Sequence, residues 1–440
     1  MPILSQVIFT LILGTFGFFI VKRVNFIISN ITLGKRQKVV GSKKQRLKNV
    51  LMIALGQKKM FKKLIPALLH LLIYIGFVLI NIEVLEIILD GFLGTHRIFA
   101  PLFPDFYARM ISFFEMLALG VIFSCVLFLI RRNIIQVPRF KNPEMKGWAI
   151  LDGNLILVIE IILMGAILSM NATDQLLQEL DNPGYPQTGS FLVSSWLFPI
   201  FEGYPSGILI IIERSAWWFH IVGIFGFTLY ITYSKHLHIF MTFPNTYFSK
   251  LTPRGAMEPM PEITSEVRVM LGLSDNFESV PPSEGFKFGA RDIGDLSRKN
   301  LMDAYTCTEC GRCTAECPAS LTGKKLSPRK IMMDTRDRME EIGSGRSNLK
   351  GAGQKFLLGD FITKEEINAC TSCNACVEAC PVLINPLDII LQLRRYEAME
   401  SSGSPVSWNA MFQNVETNFA PWKFSHQDRF NWLEELKNDK

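Results

Sequence analysis

The chain has 440 residues, of which 49% are hydrophobic and 20% are charged, and it contains 34 phenylalanines. This length leaves room for two or three domains, and the composition excludes a disordered or nucleic-acid-coating protein. The net charge of +6 divides unevenly, since residues 1–250 carry +10 and residues 251–440 carry −4. The first part is therefore basic and apolar, whereas the second has the composition of an ordinary soluble domain.

Five apolar segments are long enough to cross a bilayer, which takes about 17–25 residues; they are 3–21, 64–89, 110–130, 149–169 and 208–234. Lys and Arg favour the cytoplasmic side of a membrane. They crowd 22–63 and 131–147 but are absent from 171–206. We therefore predict a five-helix domain over 1–242 with its N-terminus outside, in a bacterial cytoplasmic (inner) membrane. Everything after about residue 235 is then cytoplasmic.

Histidines in the predicted membrane domain are candidate haem ligands, because polar side chains inside a bilayer are costly and are usually functional. His70 lies in the inner part of the second helix, and His220 and His238 are eighteen residues apart near the fifth. On one continuous helix, the last two would face the same way about 27 Å apart, as two stacked haems require. We expect His70 to pair with His238. His96, the other histidine toward the outside, is the candidate partner of His220.

Two tight runs contain eight of the nine cysteines, and each run is followed by proline. This C-x2-C-x2-C-x3-C-P spacing is the signature of a bacterial-type ferredoxin, in which the fourth thiolate of each run binds the other cluster. One [4Fe–4S] cluster is therefore expected on Cys307, Cys310, Cys313 and Cys380, and the other on Cys370, Cys373, Cys376 and Cys317. Structural zinc, the alternative, usually uses two separated pairs of ligands.

The segment between the two runs contains SPRKIMMDTRDRMEEI, which predicts a helix with a serine cap and a proline in its first turn. We therefore predict a mainly α protein: a five-helix transmembrane cytochrome b bundle followed by an α-helical two-cluster ferredoxin domain over 298–398. Residues 243–297, rich in Pro, Gly and Ser, are predicted to be a linker. Residues 399–440 form a tail for partner docking or for folding back on the ferredoxin domain.

The membrane half resembles the cytochrome b (gamma) subunit of respiratory nitrate reductases, and the Cys runs with KKLSPRKIMMDTR resemble the ferredoxin module of heterodisulfide reductases. In the first family, helix two supplies two histidines ten residues apart. Here His70 takes the inner position and Ile80 stands at the outer one, which leaves the outer ligand open or shifts it to His96. The second family has a catalytic module with CCG motifs. This chain has no adjacent cysteine pair, so the resemblance implies a CCG-type partner on another polypeptide. The tail resembles the linker before that module, which makes Pro421, Trp422, Arg429 and Trp432 a possible docking surface.

These features predict an electron-transfer subunit that links quinone, through one or two b-type haems and two [4Fe–4S] clusters, to the CCG-type partner. By resemblance, an electron-transfer flavoprotein is a further redox partner, and no nucleic-acid partner is expected. Two alternatives remain open. One is a haem-free membrane anchor for a ferredoxin domain, and the other is a redox sensor, for which no output domain is recognisable.

Overall fold

The structure is a computed structural model that describes residues 3–37, 39–253, 255–273, 287–345, 354–423, 425, 428 and 430–438. Within these residues the chain is mostly helical, and its only β-type pairings are two isolated bridges. The predicted mainly α fold class is therefore confirmed.

Five helices are long and apolar enough to cross a membrane, as the hydropathy pattern predicts. They are α1 (Ile3–Thr32), α3 (Leu64–Leu93), α4 (Tyr107–Asn133), α5 (Trp148–Glu179) and α7 (Ser206–Ile231). Short helices α2 (Lys43–Asn49) and α6 (Phe198–Phe201) lie in the connections between them. Most of these helices extend beyond the predicted apolar segments, because their polar ends lengthen the helix without contributing to hydropathy.

The five helices share one apolar core, in which aromatic rings fill the space between α1, α3 and α7. Phe9 of α1 is fully buried and contacts Phe92 edge-to-face, with ring centroids 5.4 Å apart. Gly91 of α3 allows this approach, since a Cβ there would lie 2.8 Å from the Phe9 ring. The first helix thus packs against α3 and α7 through Phe9, while most of its other side chains are not buried.

The fifth membrane helix does not continue to His238, so the prediction that His220 and His238 share one helix is wrong. Helix α7 ends at Ile231, Ser234 is extended, and α8 (His238–Tyr247) begins a new direction. Asp152 of α5 stabilises this break, because its carboxylate accepts hydrogen bonds from Ser234 Oγ (2.6 Å) and from the Lys235 backbone N–H (3.2 Å).

The domain that carries the two cysteine runs is built from small helices around one core, preceded by α9 (Pro261–Met270). Its helices are α10 (Arg298–Thr306), α11 (Arg312–Ala315), α12 (Pro318–Leu321), α13 (Pro328–Gly343), α14 (Lys364–Asn368), α15 (Ala375–Ala379) and α16 (Pro386–Arg395). Helix α13 is the one predicted from its Ser-Pro start, and the Ser327 hydroxyl accepts from the Lys330 N–H.

The domain begins earlier than the predicted boundary at residue 298. Ala290, Ile293 and Leu296 are fully buried in its core, and Asp292 pairs with the fully buried Arg338 at 2.7 Å. Residues 287–297 therefore belong to the domain and not to the linker. Their polar and glycine-rich composition concealed three core positions, which only long-range packing reveals.

Several ion pairs and hydrogen bonds hold this domain against one end of the membrane bundle. Arg23 of α1 forms a two-pronged pair with Glu340 of α13, at 2.7 and 3.0 Å. Asn30 donates to the Tyr305 hydroxyl at 2.8 Å, and Lys35 makes a bridge with Ser297. The domain thus lies on the end of the bundle that carries the basic loops.

The tail contains α17 (Val406–Asn418) and α18 (Asn431–Asn438), both with exposed apolar side chains. Trp422 and Trp432 of the predicted docking surface are exposed, whereas Arg429 lies outside the described residues.

Candidate iron–sulfur and haem-ligand sites

The two cysteine runs have the same backbone conformation. In the first run Glu309 and Gly311 have left-handed φ angles of 54° and 70°. At the matching positions of the second run, Ser372 and Asn374 have φ angles of 55° and 63°. Left-handed residues reverse the chain direction within a few residues. Each run therefore changes direction at the same two positions, between its first and third cysteines.

The fourth cysteine of each run lies with the thiols of the other run. Burial raises the pKa of Cys376 to about 12, and Cys317 of the first run is among the nearby thiols that add to the rise. Burial likewise raises the pKa of Cys313, and Cys380 of the second run adds to it. Cys380 thus lies near the first run and Cys317 near the second, as crossed ligation requires. The two ligand sets themselves stay a prediction.

The predicted donor set consists of eight cysteine thiols, and Cys thiolates, four to each cluster, are the ligands of [4Fe–4S] clusters. Among the described residues, no group of three His, Cys, Asp or Glu side chains is arranged to hold a single metal ion. Burial raises the pKa of Cys307 to about 12, so the free thiol is protonated at neutral pH. A metal that binds this sulfur would release the proton.

Backbone N–H groups already point at two of the sulfurs. Ser372 N–H donates to Cys370 Sγ at 3.4 Å, and Ile384 N–H donates to Cys380 Sγ at 3.3 Å. Such hydrogen bonds to sulfur help to set the reduction potential of a cluster. Cys373 is the one exposed cysteine in the described chain, which places the second set nearest to solvent.

His70 and His238 face each other where α3 and α8 meet. Their ring centroids are 6.4 Å apart and their planes are inclined by 47°, so the two histidines are near enough to be ligands of one bound group. The Nδ1 of His70 contacts Gln57 Oε1 at 3.1 Å, and the Nδ1 of His238 contacts the Lys235 carbonyl at 3.2 Å. Both contacts use Nδ1, and in metal-binding histidines one ring nitrogen is commonly held in this way while the other binds the metal.

His220, within the membrane bundle, also has its Nδ1 in contact with an oxygen atom. It is fully buried on α7, and its Nδ1 contacts the Leu163 carbonyl at 2.9 Å. Its Nε2 is buried without a hydrogen-bond partner in the described structure. An orphaned buried nitrogen is rare in proteins, and here it fits the ligand role predicted from sequence.

His96 is placed differently from the other three candidates. Its Nε2 contacts Asp174 Oδ1 at 3.1 Å, and its Nδ1 contacts Arg214 Nη2 at 3.3 Å. Both ring nitrogens are thus engaged, an arrangement that leaves none for a metal. The pairing of His96 with His220 stays a prediction that these contacts disfavour.

The structure also contains a polar network that the sequence analysis did not assemble. Arg97 is buried at the end of the bundle next to His96, and it donates to Asp174 at 2.8 Å and to Asn171 at 2.6 Å. Arg97 lies in a loop, so hydropathy gave no reason to place it among Glu83 and the other membrane carboxylates. Asp174 contacts both Arg97 and His96, so the network also fixes the His96 ring.

A buried ion pair connects the two candidate sites. Lys235, three residues before His238, donates from Nζ to Glu309 at 2.7 Å. Glu309 lies between Cys307 and Cys310, and it also accepts from Arg336 at 2.6 Å. Burial acts to raise the pKa of Glu309, but Arg336 and Lys235 together hold it below its usual range. The turn that presents His238 is therefore tied to the loop that presents the first cysteines.

Comparison with known proteins supports the iron–sulfur assignment. Residues 306–384 match the family described as a 4Fe-4S dicluster domain. A probable iron-sulfur-binding oxidoreductase, FadF of Bacillus subtilis, is 27% identical over 93% of this chain and 58% of its own length. EtfAB:quinone oxidoreductase of Syntrophomonas wolfei is 26% identical over 89% and 54%.

A third relative matches a shorter part of the chain. It is a component of the dihydromethanophenazine:CoB–CoM heterodisulfide reductase of Methanosarcina mazei, and it is 28% identical over 32% of this chain and 36% of its own length. The chain spans little more than half the length of the two relatives that match most of it. No solved structure matches it.

The fold and the comparisons agree on the two parts of the chain. It combines five helices of membrane-spanning length with a 4Fe-4S dicluster domain. Its homologues include heterodisulfide reductase components and iron–sulfur oxidoreductases.

Proposed function

We propose that the chain is a subunit of a bacterial cytoplasmic-membrane complex that exchanges electrons between quinone and a cytoplasmic CCG-type iron–sulfur module outside these 440 residues. The proposed architecture joins a nitrate reductase gamma-like cytochrome b domain, residues 1–242, to the dicluster domain. The observation that carries this proposal is the Lys235–Glu309 pair. It links the His70–His238 pair to the first cysteine run.

His70 and His238 are the proposed axial ligands of one b-type haem, and His220 is the proposed ligand of a second. Cys307, Cys310, Cys313 and Cys380 would hold one cluster, and Cys370, Cys373, Cys376 and Cys317 the other. Both kinds of group supply one-electron chemistry when bound. The residues of this chain fix the ligand nitrogens, bury the sulfurs and set their local charge.

The names of the relatives support the choice of partners. One relative is called an EtfAB:quinone oxidoreductase, which favours quinone and an electron-transfer flavoprotein as the two redox partners of the complex. The exposed Cys373 favours the second set of cysteines as the point of contact with the soluble partner. The exposed Trp422 and Trp432 of the tail are its proposed docking residues.

The test is a dithionite-reduced minus oxidised visible spectrum of the purified full chain, with a pyridine haemochrome assay and iron and sulfide counts. We expect a b-type signal. His70→Ala and His238→Ala should each abolish the same haem, and the double variant should lose no more than either single variant.

His236→Ala is the matched control, because the His236 ring touches His238, with centroids 5.3 Å apart, without being a proposed ligand. His96→Ala should also keep the haem content of the wild type. A preparation with full iron and sulfide but no haem would overturn the proposal, and the protein would then be a ferredoxin domain on a membrane anchor.

A further inference from the structure

The segment that connects the first two membrane-length helices has one buried side and one exposed side. It comprises α2 (Lys43–Asn49) and the π-helical turn Val50–Leu55, and we call residues 43–55 the connecting segment. Arg46, only 3% exposed, and Ala54 lie on its buried side, and that side packs against α8. The exposed side is therefore the one that can meet a partner.

The exposed side is basic at its start and apolar at its end. Lys43, Lys44 and Lys48 are exposed and form no ion pair with an acidic side chain among the described residues. Residues 22–63 contain no acidic residue at all. Four apolar side chains of the segment are between 41% and 55% exposed, namely Leu47, Leu51, Met52 and Leu55. Lysines next to exposed apolar side chains are typical of a helix that lies in the headgroup region of a membrane.

The apolar end of the connecting segment leads into a helix of membrane-spanning length. Leu64 and Ile65, the first two residues of α3, are exposed, as is Phe61 just before them. The segment therefore lies near the boundary between the apolar core of a bilayer and its headgroups. Anionic phospholipid presents acyl chains and a negatively charged phosphate side by side at this boundary, which matches the apolar and basic parts of the exposed side.

The buried side of the segment contacts both elements that carry the His70–His238 pair. Arg46 Nη1 donates to the Tyr247 carbonyl at 2.8 Å, at the C-terminal end of α8, where a cation is favourable. Gln57, two residues after the segment, contacts His70 Nδ1 with its Oε1 at 3.1 Å. A ligand that fixes the connecting segment would therefore also steady the helix that begins at His238 and the side chain that holds His70.

We propose that the exposed side of the connecting segment binds anionic phospholipid of the surrounding bilayer and thereby stabilises the placement of His70 and His238. Lys43, Lys44 and Lys48 attract the phosphates, and the apolar side chains lie among the first groups of the acyl chains. The lipid binding does not depend on the proposed haem. A protein that binds the lipid but no haem would contradict the proposed function and leave this inference standing.

The experiment titrates the purified full chain in detergent with phosphatidylglycerol or with phosphatidylcholine, and native mass spectrometry counts the bound lipids. We expect wild type to bind phosphatidylglycerol more tightly than phosphatidylcholine. The triple variant Lys43→Gln/Lys44→Gln/Lys48→Gln should bind phosphatidylglycerol about tenfold to a hundredfold more weakly, since each lysine near an anionic surface adds several-fold to the affinity. The corresponding triple Lys→Arg variant keeps the charge and should retain the affinity.

Lys324→Gln/Lys325→Gln/Lys364→Gln is the matched control, because it removes the same charge from three exposed lysines of the dicluster domain. It should bind phosphatidylglycerol as wild type does, and a full iron content will show that each variant is folded. Hydrogen–deuterium exchange then tests the link to the histidines. Phosphatidylglycerol should slow exchange in residues 43–57 and in α8 of wild type but not of the connecting-segment variant.

Equal affinity of wild type and the connecting-segment variant for phosphatidylglycerol would overturn the inference. Equal affinity of wild type for the two lipids would also overturn it, because the lysines would then have no role. Displacement of phosphatidylglycerol by millimolar inorganic phosphate would show a site for free phosphate and not for lipid. Unchanged exchange in α8 on lipid binding would overturn the link to the His70–His238 pair.

Discussion

At the residue scale, Cys317 is close to cysteines that are distant from it in sequence. It ends the first cysteine run, but it lies near Cys370 and Cys376 of the second run and adds to the rise in their pKa. Under the proposed ligation, Cys317 binds the same cluster as these two residues. Loss of one thiol should therefore affect the cluster whose other three ligands lie more than fifty residues away in the chain.

The crossed ligation predicts a specific pattern of iron loss. In a chain with two four-iron clusters, Cys317→Ser and Cys370→Ser should each lower the iron content by up to four atoms. The Cys317→Ser/Cys370→Ser double variant should lose no more, because both residues serve one cluster. Cys317→Ser/Cys307→Ser should lose both clusters. Colorimetric iron analysis with Mössbauer spectroscopy measures this.

Cys125→Ser is the control, since Cys125 is buried in α4 and should leave all the iron in place. If Cys317→Ser/Cys307→Ser keeps one full cluster, each run binds its own cube and the crossed assignment is wrong.

At the scale of elements, the loop before α11 depends on Gly311. Gly311 has φ 70°, and a Cβ there would lie 2.5 Å from Arg329 Nη1. Arg329 has little room to move, because Glu144 and the Arg139 carbonyl hold its guanidinium. The loop that follows α4 thus limits the space around Gly311, because its residues Arg139 and Glu144 hold Arg329 in place.

Gly311→Ala should therefore lower cluster occupancy, whereas Gly323→Ala should not. Gly323 has φ 79° but no atom within 4 Å of the added Cβ. Both variants bear the strain of a left-handed alanine, about 1 kcal/mol, and only Gly311→Ala adds a clash. Iron content and the temperature at which cluster absorbance is lost are the measurements. Equal effects of the two variants would contradict the prediction, because Arg329 would then move away from the added Cβ without lowering cluster occupancy.

At the scale of the whole molecule, the structure joins the dicluster domain to the bundle through charged contacts of α1. Arg23 pairs with Glu340 on two atoms and lies over the Tyr233 ring, 4.2 Å from its centroid. These side chains are shielded, with only 10% of Arg23 exposed. A shielded two-pronged pair contributes more than an exposed one.

Arg23→Gln should weaken this docking while leaving both halves folded. We expect slower reduction of the clusters by a quinol, measured by stopped-flow absorbance in proteoliposomes, with iron and haem content unchanged. Lys325→Gln, which removes an ion pair exposed on both sides, is the control and should leave the rate unchanged. A wild-type rate in Arg23→Gln would show that other contacts suffice to hold the domain in place.

Much of the molecule was predictable because its signals are local. Bilayer-length apolar runs, basic loops and closely spaced cysteines each act within a few tens of residues, so the five helices and the 4Fe-4S dicluster domain follow from the chain alone. Helix α13 was also predictable, since its cap residue Ser327 precedes it directly. The apolar runs, the cysteine runs and the cap of α13 can therefore be recognised without knowing which residues pack against them.

The rest depended on partners distant in sequence. Asp152 ends the fifth membrane helix before His238, Asp174 and Arg214 engage both nitrogens of His96, and no carboxylate pairs with Arg312 among the described residues. A helix pattern cannot reveal an acceptor eighty residues away. The sequence by itself thus determined the five membrane-length helices and the dicluster domain. Tertiary structure decided where the helices stop and which nitrogens and charges are left without a partner, because hydrogen bonding and charge pairing act through space.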